Sequence, residues 1–191
     1  MAATASTMLP LGTEAPAFSL PDPNGKLWSL ADFEAAPALL VAFLSNHCPF
    51  VKHVADGLGV LARDLAAEGV PVIGIGSNDT AAYPDDAPEH SAAMAARHGW
   101  AFPYLADGSQ ATARAYRAAC TPDFYVFDQH RTLVYRGQMD GARPGNNVAV
   151  SGADLRAAVD ALLAGQPVPA DQRPSVGCSI KWKPGNAPEY F

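Results

Sequence analysis

The chain has 191 residues, 49% of them apolar, which suffices for one domain around one sizeable core. Thirteen Lys and Arg against nineteen Asp and Glu leave a net charge of −6, which argues against a nucleic-acid backbone or a membrane surface as partner, and no stretch reaches the apolar length of a membrane span. Three scattered cysteines, Cys48, Cys120 and Cys178, are too few for a secreted disulfide framework, and MAATASTMLP lacks the basic start and apolar run of a signal peptide, so a soluble cytoplasmic protein is predicted.

In PDPNGKLWSL, Asn24-Gly25 lies between apolar-bearing segments and signals a small N-terminal hairpin. ALLVAFLS, residues 38–45, is a continuous apolar run of strand length, the pattern of a central strand covered on both faces. SNHCPFVK overlaps its end. From there Val51, Val54, Leu58, Leu61 and Leu65 step by three and four, predicting a helix that opens at or beside Cys48 and stops at Gly69. PVIGIGS at 71–77 predicts a second buried strand, and PEHSAAMAARHG at 88–99 a short helix with Pro88 near its start.

Further on, DFYVFD (123–128) and TLVYRG (132–137) read as an antiparallel hairpin. Asp140 and Arg143 are assigned to a surface turn, and SGADLRAAVDALLAGQ (151–166) to a closing helix capped by Ser151 and Asp154. Residues 167–191 have no periodicity, yet Ile180 and Trp182 offer apolar anchors. The predicted organisation is one domain over 1–166 and a tail over 167–191 packed on it.

Cys48 is the residue on which chemistry is expected. At the first turn of a helix, unsatisfied N–H groups and the positive end of the dipole both favour thiolate over thiol. Lys52 lies one turn on along the same side, His47 is adjacent, and Pro49 suits a first helical position because its missing donor would be unpaired there. Asn46 is suited either to orienting a substrate oxygen or to capping the helix. A metal set of His47, Cys48 and His53 matches no usual zinc spacing, and no metal or other cofactor is expected. Val51 stands where a C-x-x-C motif would carry its second cysteine, which excludes a dithiol mechanism within the loop.

GTEAPAFSLPDPNGKLWSLADF (12–33), the loop NHCPFVKH, the segment TPDFYVFD and the tail motif GCSIKWKPGN together resemble the peroxiredoxin-like thioredoxin-fold proteins of the alkyl hydroperoxide reductase and thiol-specific antioxidant type. The resemblance implies an α/β thioredoxin fold: a central mixed sheet flanked by helices, an N-terminal hairpin and an irregular C-terminal tail. It implies that Thr121-Pro122 is the cis-proline loop facing the thiol. It also places Ser45 at the hydroxyl position that holds a peroxide. Val41 stands where the family has proline, and the family's arginine falls on Pro122, leaving Arg136 from the hairpin as the arginine that would have to reach in.

Three functions follow from such a thiol. Cys48 could be oxidised by a peroxide to sulfenic acid, could form mixed disulfides at the Thr121-Pro122 loop, or could serve as a redox sensor without turnover. The partners implied are a peroxide or disulfide and an external thiol reductant such as a thioredoxin, with a homodimer as the open assembly. Cys178 is the predicted resolving thiol. Cys120 is the second candidate, but in an extended segment Thr121 rather than Cys120 should face Cys48.

Overall fold

The computed structural model describes residues 3–190, in the order β1 (Thr4–Ala5), β2 (Ser19–Pro21), β3 (Leu27–Ser29), β4 (Ala38–Leu44), α1 (Pro49–Ala67), β5 (Val72–Gly76), α2 (Pro88–Arg97), β6 (Tyr104–Ala106), α3 (Ala111–Ala115), β7 (Cys120–Thr121), β8 (Asp123–Asp128), β9 (Leu133–Gly137), α4 (Ala153–Leu163) and β10 (Val176–Ser179). Five strands form the main sheet in the order β6-β5-β4-β8-β9. β4 runs parallel to β5 and antiparallel to β8, with Val41 opposite Ile73 on one side and Tyr125 on the other.

All seven residues of β4 are buried, and the pleat divides them between two cores. Leu40, Ala42 and Leu44 pack with Val51, Val54, Leu58 and Leu65 of α1 and with Leu155 and Val159 of α4. Leu39, Val41 and Phe43 pack on the opposite face with Phe18, Leu20, Tyr116, Tyr125 and Phe127. A strand apolar at every position is therefore a strand with a core on each side. Cys48 belongs to the α1 side.

The N-terminal ribbon is β2 against β3. Its turn is made by the Asp22 carboxylate, which accepts from the N–H groups of Asn24 (2.8 Å) and Lys26 (3.0 Å), while Gly25 takes the φ of +84° that a side chain would resist. At α4 the cap differs from the sequence expectation. Gly152 is the N-cap residue with φ +68°, and the Asp140 carboxylate accepts from the N–H groups of Ser151 and Gly152, both at 2.7 Å, and of Ala142 at 2.8 Å. Asp140 is thus a buried structural carboxylate rather than a surface-turn residue, and Asp154 instead accepts from Gln138 at 2.6 Å.

The tail is tied into the domain by β10, the middle strand of a three-stranded sheet ordered β1-β10-β7. Beyond it, Lys181 N–H donates to Asn78 Oδ1 (2.8 Å), and the Lys181 carbonyl accepts from Asp79 N–H (2.8 Å) and Gln110 Nε2 (2.9 Å). No helix among the described residues is long and apolar enough to cross a membrane.

Candidate active site

β4 ends in the loop Ser45–His47, and the chain turns into α1 with Cys48 as its N-cap residue and Pro49 at the first helical position. The cysteine makes no side-chain cap bond; its Sγ instead donates to the carbonyl of Thr121 at 3.1 Å. The Thr121-Pro122 peptide is cis. Cys48 is completely buried.

β10 brings the second thiol. Cys178 stands directly opposite Thr121 in the antiparallel pairing, on the same face of the ribbon, and its thiol lies close enough to that of Cys48 to interact with it. Burial first, then the interaction with Cys48, push the Cys178 thiol up to about 12, with the Lys181 charge opposing them. The close approach depends on Gly177, where an added Cβ would lie 1.9 Å from the Thr121 carbonyl oxygen. Cys120 is buried as well, with only long contacts of 3.9 Å from Sγ to the carbonyls of Pro122 and Ser175. Burial, then the neighbouring Asp123, raise its thiol far above the ordinary range. All three thiols are free.

The remaining sequence candidates divide into those at the thiol loop and those away from it. Ser45 Oγ donates to Asp86 (3.1 and 3.2 Å to its two oxygens) and lies 3.3 Å from His47 Nδ1. Asn46 donates through Nδ2 to the Asp85 carbonyl and to Ser91 Oγ, both at 3.0 Å, while its buried Oδ1 has no partner among the described residues. Thr121 Oγ1 is likewise buried without a partner. Lys52 is exposed and lines a groove with Asn46, His90, Arg97 and His98. Arg136 is placed elsewhere: it stands opposite Tyr125, whose side chain packs in the core on the far face of the sheet from Cys48, and its Nη1 donates to Gln172 Oε1 at 2.9 Å.

The residue that organises the loop is Asp86, which the sequence pattern does not single out. Its carboxylate, buried between β4 and α2, accepts from Asn46 N–H (2.5 Å), Asn78 Nδ2 (2.6 Å), His47 Nδ1 (2.7 Å) and the Ser45 hydroxyl. The His47 ring stacks on Tyr83 at 5.3 Å and 13°. Among the described residues no cluster of His, Cys, Asp and Glu is placed to hold a metal ion.

A cysteine capping a helix at the end of a central strand and facing a cis-proline defines a thioredoxin-fold thiol redox protein. The family model described as "AhpC/TSA family" matches residues 11–136, well over half of the chain, and the chain belongs to that family. Two solved structures are similar over nearly their whole length. One, a hypothetical protein from Sinorhizobium meliloti, is 53% identical with TM-score 0.94, covering 95% of this chain and 100% of that one. The other, an uncharacterized conserved protein from Geobacillus kaustophilus, is 50% identical with TM-score 0.94, covering 97% and 98%. The fold is shared more distantly by the peroxidoxin BcpB of Mycobacterium tuberculosis, at 18% identity and TM-score 0.61, covering 81% of this chain and 96% of that one. Comparison with curated proteins gave no match.

Proposed function

We propose that the chain is a two-cysteine peroxidase in which Cys48 is the oxidised thiol and Cys178 resolves it. The observation that carries this reading is the contact between the Cys178 and Cys48 thiols in the folded chain. Cys48 thiolate attacks one oxygen of the peroxide, the O–O bond breaks, and Cys48 becomes sulfenic acid. The Cys178 thiol then displaces water from that sulfenic acid to form the disulfide, which an external dithiol such as a thioredoxin reduces. We place this cycle in the cytoplasm, where thiols are kept reduced.

β10 also bears on the choice of substrate. In thioredoxin-fold oxidoreductases an extended thiol substrate would pair with the backbone before the cis-proline, and here β10 already pairs with both residues of β7. A small oxidant needs no such pairing. The cis Thr121-Pro122 bond beside Cys48 favours thiol-disulfide exchange as a second reading, in which a protein disulfide would have to displace β10 first.

Peptide mapping after one equivalent of hydrogen peroxide tests the assignment. A Cys48–Cys178 bridge is expected in the wild type, and a sulfenic acid passing on to sulfinic acid in Cys178→Ser. A Cys48–Cys120 bridge, or no oxidation of Cys48, would overturn it. Formation of a stable mixed disulfide with a protein disulfide probe, without peroxide consumption, would favour the second reading.

A further inference from the structure

Most Lys and Arg side chains of this acidic chain hold a partner. Arg131 donates to the carbonyls of Phe33, Ala36 and Asp128, Arg136 to Gln172, Arg143 to Gln138 and Lys183 to the Gly108 carbonyl, and Arg156 is paired with Glu68 and Asp160. Lys52, His90 and Arg97 have no hydrogen bond or ion pair among the described residues, and all three line one groove. Its volume of about 400 Å³ is that of a small-molecule site. One wall is α2, where His90, Ala93, Met94 and Arg97 follow the three-and-four spacing of a single helix face. The other carries Lys52, in the first turn of α1, whose N–H donates to the Cys48 carbonyl at 3.0 Å. The groove therefore begins one helical turn from the thiol.

The two ends of the groove differ in chemistry. Near the start of α2, the Asn46 amide nitrogen donates to the Asp85 carbonyl and to Ser91 Oγ, which engages both of its N–H bonds and fixes the amide. The oxygen of that amide is an acceptor with no donor among the described residues, on a side chain only 8% exposed, and Asp85 lines the groove beside it. This end suits N–H groups. At the close of α2 stand Arg97 and His98, the latter held through Nδ1 by Asp56 of α1 at 2.7 Å. Lys52 lies along α1 between the thiol loop and Asp56, so two cations without partners serve this part of the groove, which suits carboxylates. From His90 to Arg97 the helix rises about 10 Å, which is also roughly the reach of three extended residues.

We propose that this groove binds a short peptide-like molecule, with its N–H groups at Asn46 and Asp85 and its carboxylates on Lys52 and Arg97. The ligand class follows from the order of the groups. Acceptors stand at one end and cations at the other, Met94 supplies a buried apolar floor, and the small side chain of Ala93 leaves room above it. A simple carboxylate would use the cationic end alone. Binding requires no reaction at Cys48, so the inference stands apart from the peroxide reading and survives its failure.

The probe is S-methylglutathione, a tripeptide with two carboxylates and one ammonium whose blocked sulfur cannot exchange with any of the three cysteines. Its binding is followed by NMR titration of the isotopically labelled protein. Saturable shifts are expected in the first turn of α1 and along α2, and added salt should weaken them. Lys52→Ala and Arg97→Ala, both at exposed positions that the fold does not need, should each weaken binding by about 5-fold. Arg114→Ala, which removes an exposed charge from α3, should leave it unchanged. Acetate, which reaches only the cationic end, should bind about 10-fold more weakly than the tripeptide. Failure to saturate in the millimolar range, shifts confined to another surface, an equal loss in Arg114→Ala, or equal affinity for acetate would each overturn the proposal.

Discussion

Gly177 determines how near the second thiol comes to the first. A Cβ there would meet a backbone oxygen at 1.9 Å, and a carbonyl cannot rotate away as a flexible side chain can. Gly177→Ala should therefore push β10 off β7, at a cost of ~1–3 kcal/mol measurable by thermal melting. In the same variant the Cys48 sulfenic acid should persist where the wild type forms the bridge. Cys178, with its thiol pushed up to about 12, should be alkylated appreciably only as pH rises well past the ordinary thiol range; labelling at neutral pH as fast as a free cysteine would contradict its burial beside Cys48. At this scale the sequence is uneven in what it reveals. Cys48 is legible because a strand, a thiol and a helix follow one another within a few residues. Asp86 is not, because it lies some forty residues further on in YPDDAPEH, where no periodicity distinguishes it from Asp85, and only the fold turns one of the two toward Ser45, Asn46 and His47.

Among the elements, the long ones could be read and the short ones could not. β4 and α1 carry unbroken apolar or three-and-four patterns over 7 and 19 residues, so local sequence and tertiary burial agree. β7 has two residues and β10 four, too few for any alternation to show, and each is a strand because the other lies beside it. The start of α4 teaches the same lesson. Ser151 offers the locally obvious cap, yet the strong acceptor is Asp140, eleven residues before it in the chain and brought there by the turn that Arg143 and Asn146 complete. Asp140→Ala would leave three N–H groups without their acceptor and should cost ~1–3 kcal/mol in a denaturant titration. Ser151→Ala, which removes only a 3.3 Å contact to Ala153 N–H, should cost distinctly less.

For the molecule as a whole, the buried carboxyl of Asp123 gives a pH dependence of stability. It is completely buried at the start of β8, and burial raises it from 3.8 to about 7 against the opposing hydrogen bonds from Tyr125, Ser6 and Ser175. A folded-state value above the unfolded one means that the native chain holds this proton more tightly. The contribution is fully present below about 3.8 and is lost as pH rises to about 7. The melting temperature of Asp123→Asn should accordingly vary less with pH than that of the wild type across that interval, and identical slopes would remove Asp123 as the cause.

The placement of β10 between β1 and β7 has a consequence for biosynthesis. Its partners come from widely separated earlier parts of the chain: Thr4 pairs with Gly177, and Thr121 with Cys178. A ribosome delivers Cys48 early, and the main sheet can close around it once β9 has emerged. Until residues 176–179 follow, the thiol proposed to be oxidised has no partner to relieve it. A nascent chain meeting peroxide in that interval would carry its sulfenic acid unprotected toward irreversible oxidation. The strand that joins β1 to β7 would thus also carry the thiol proposed to protect Cys48.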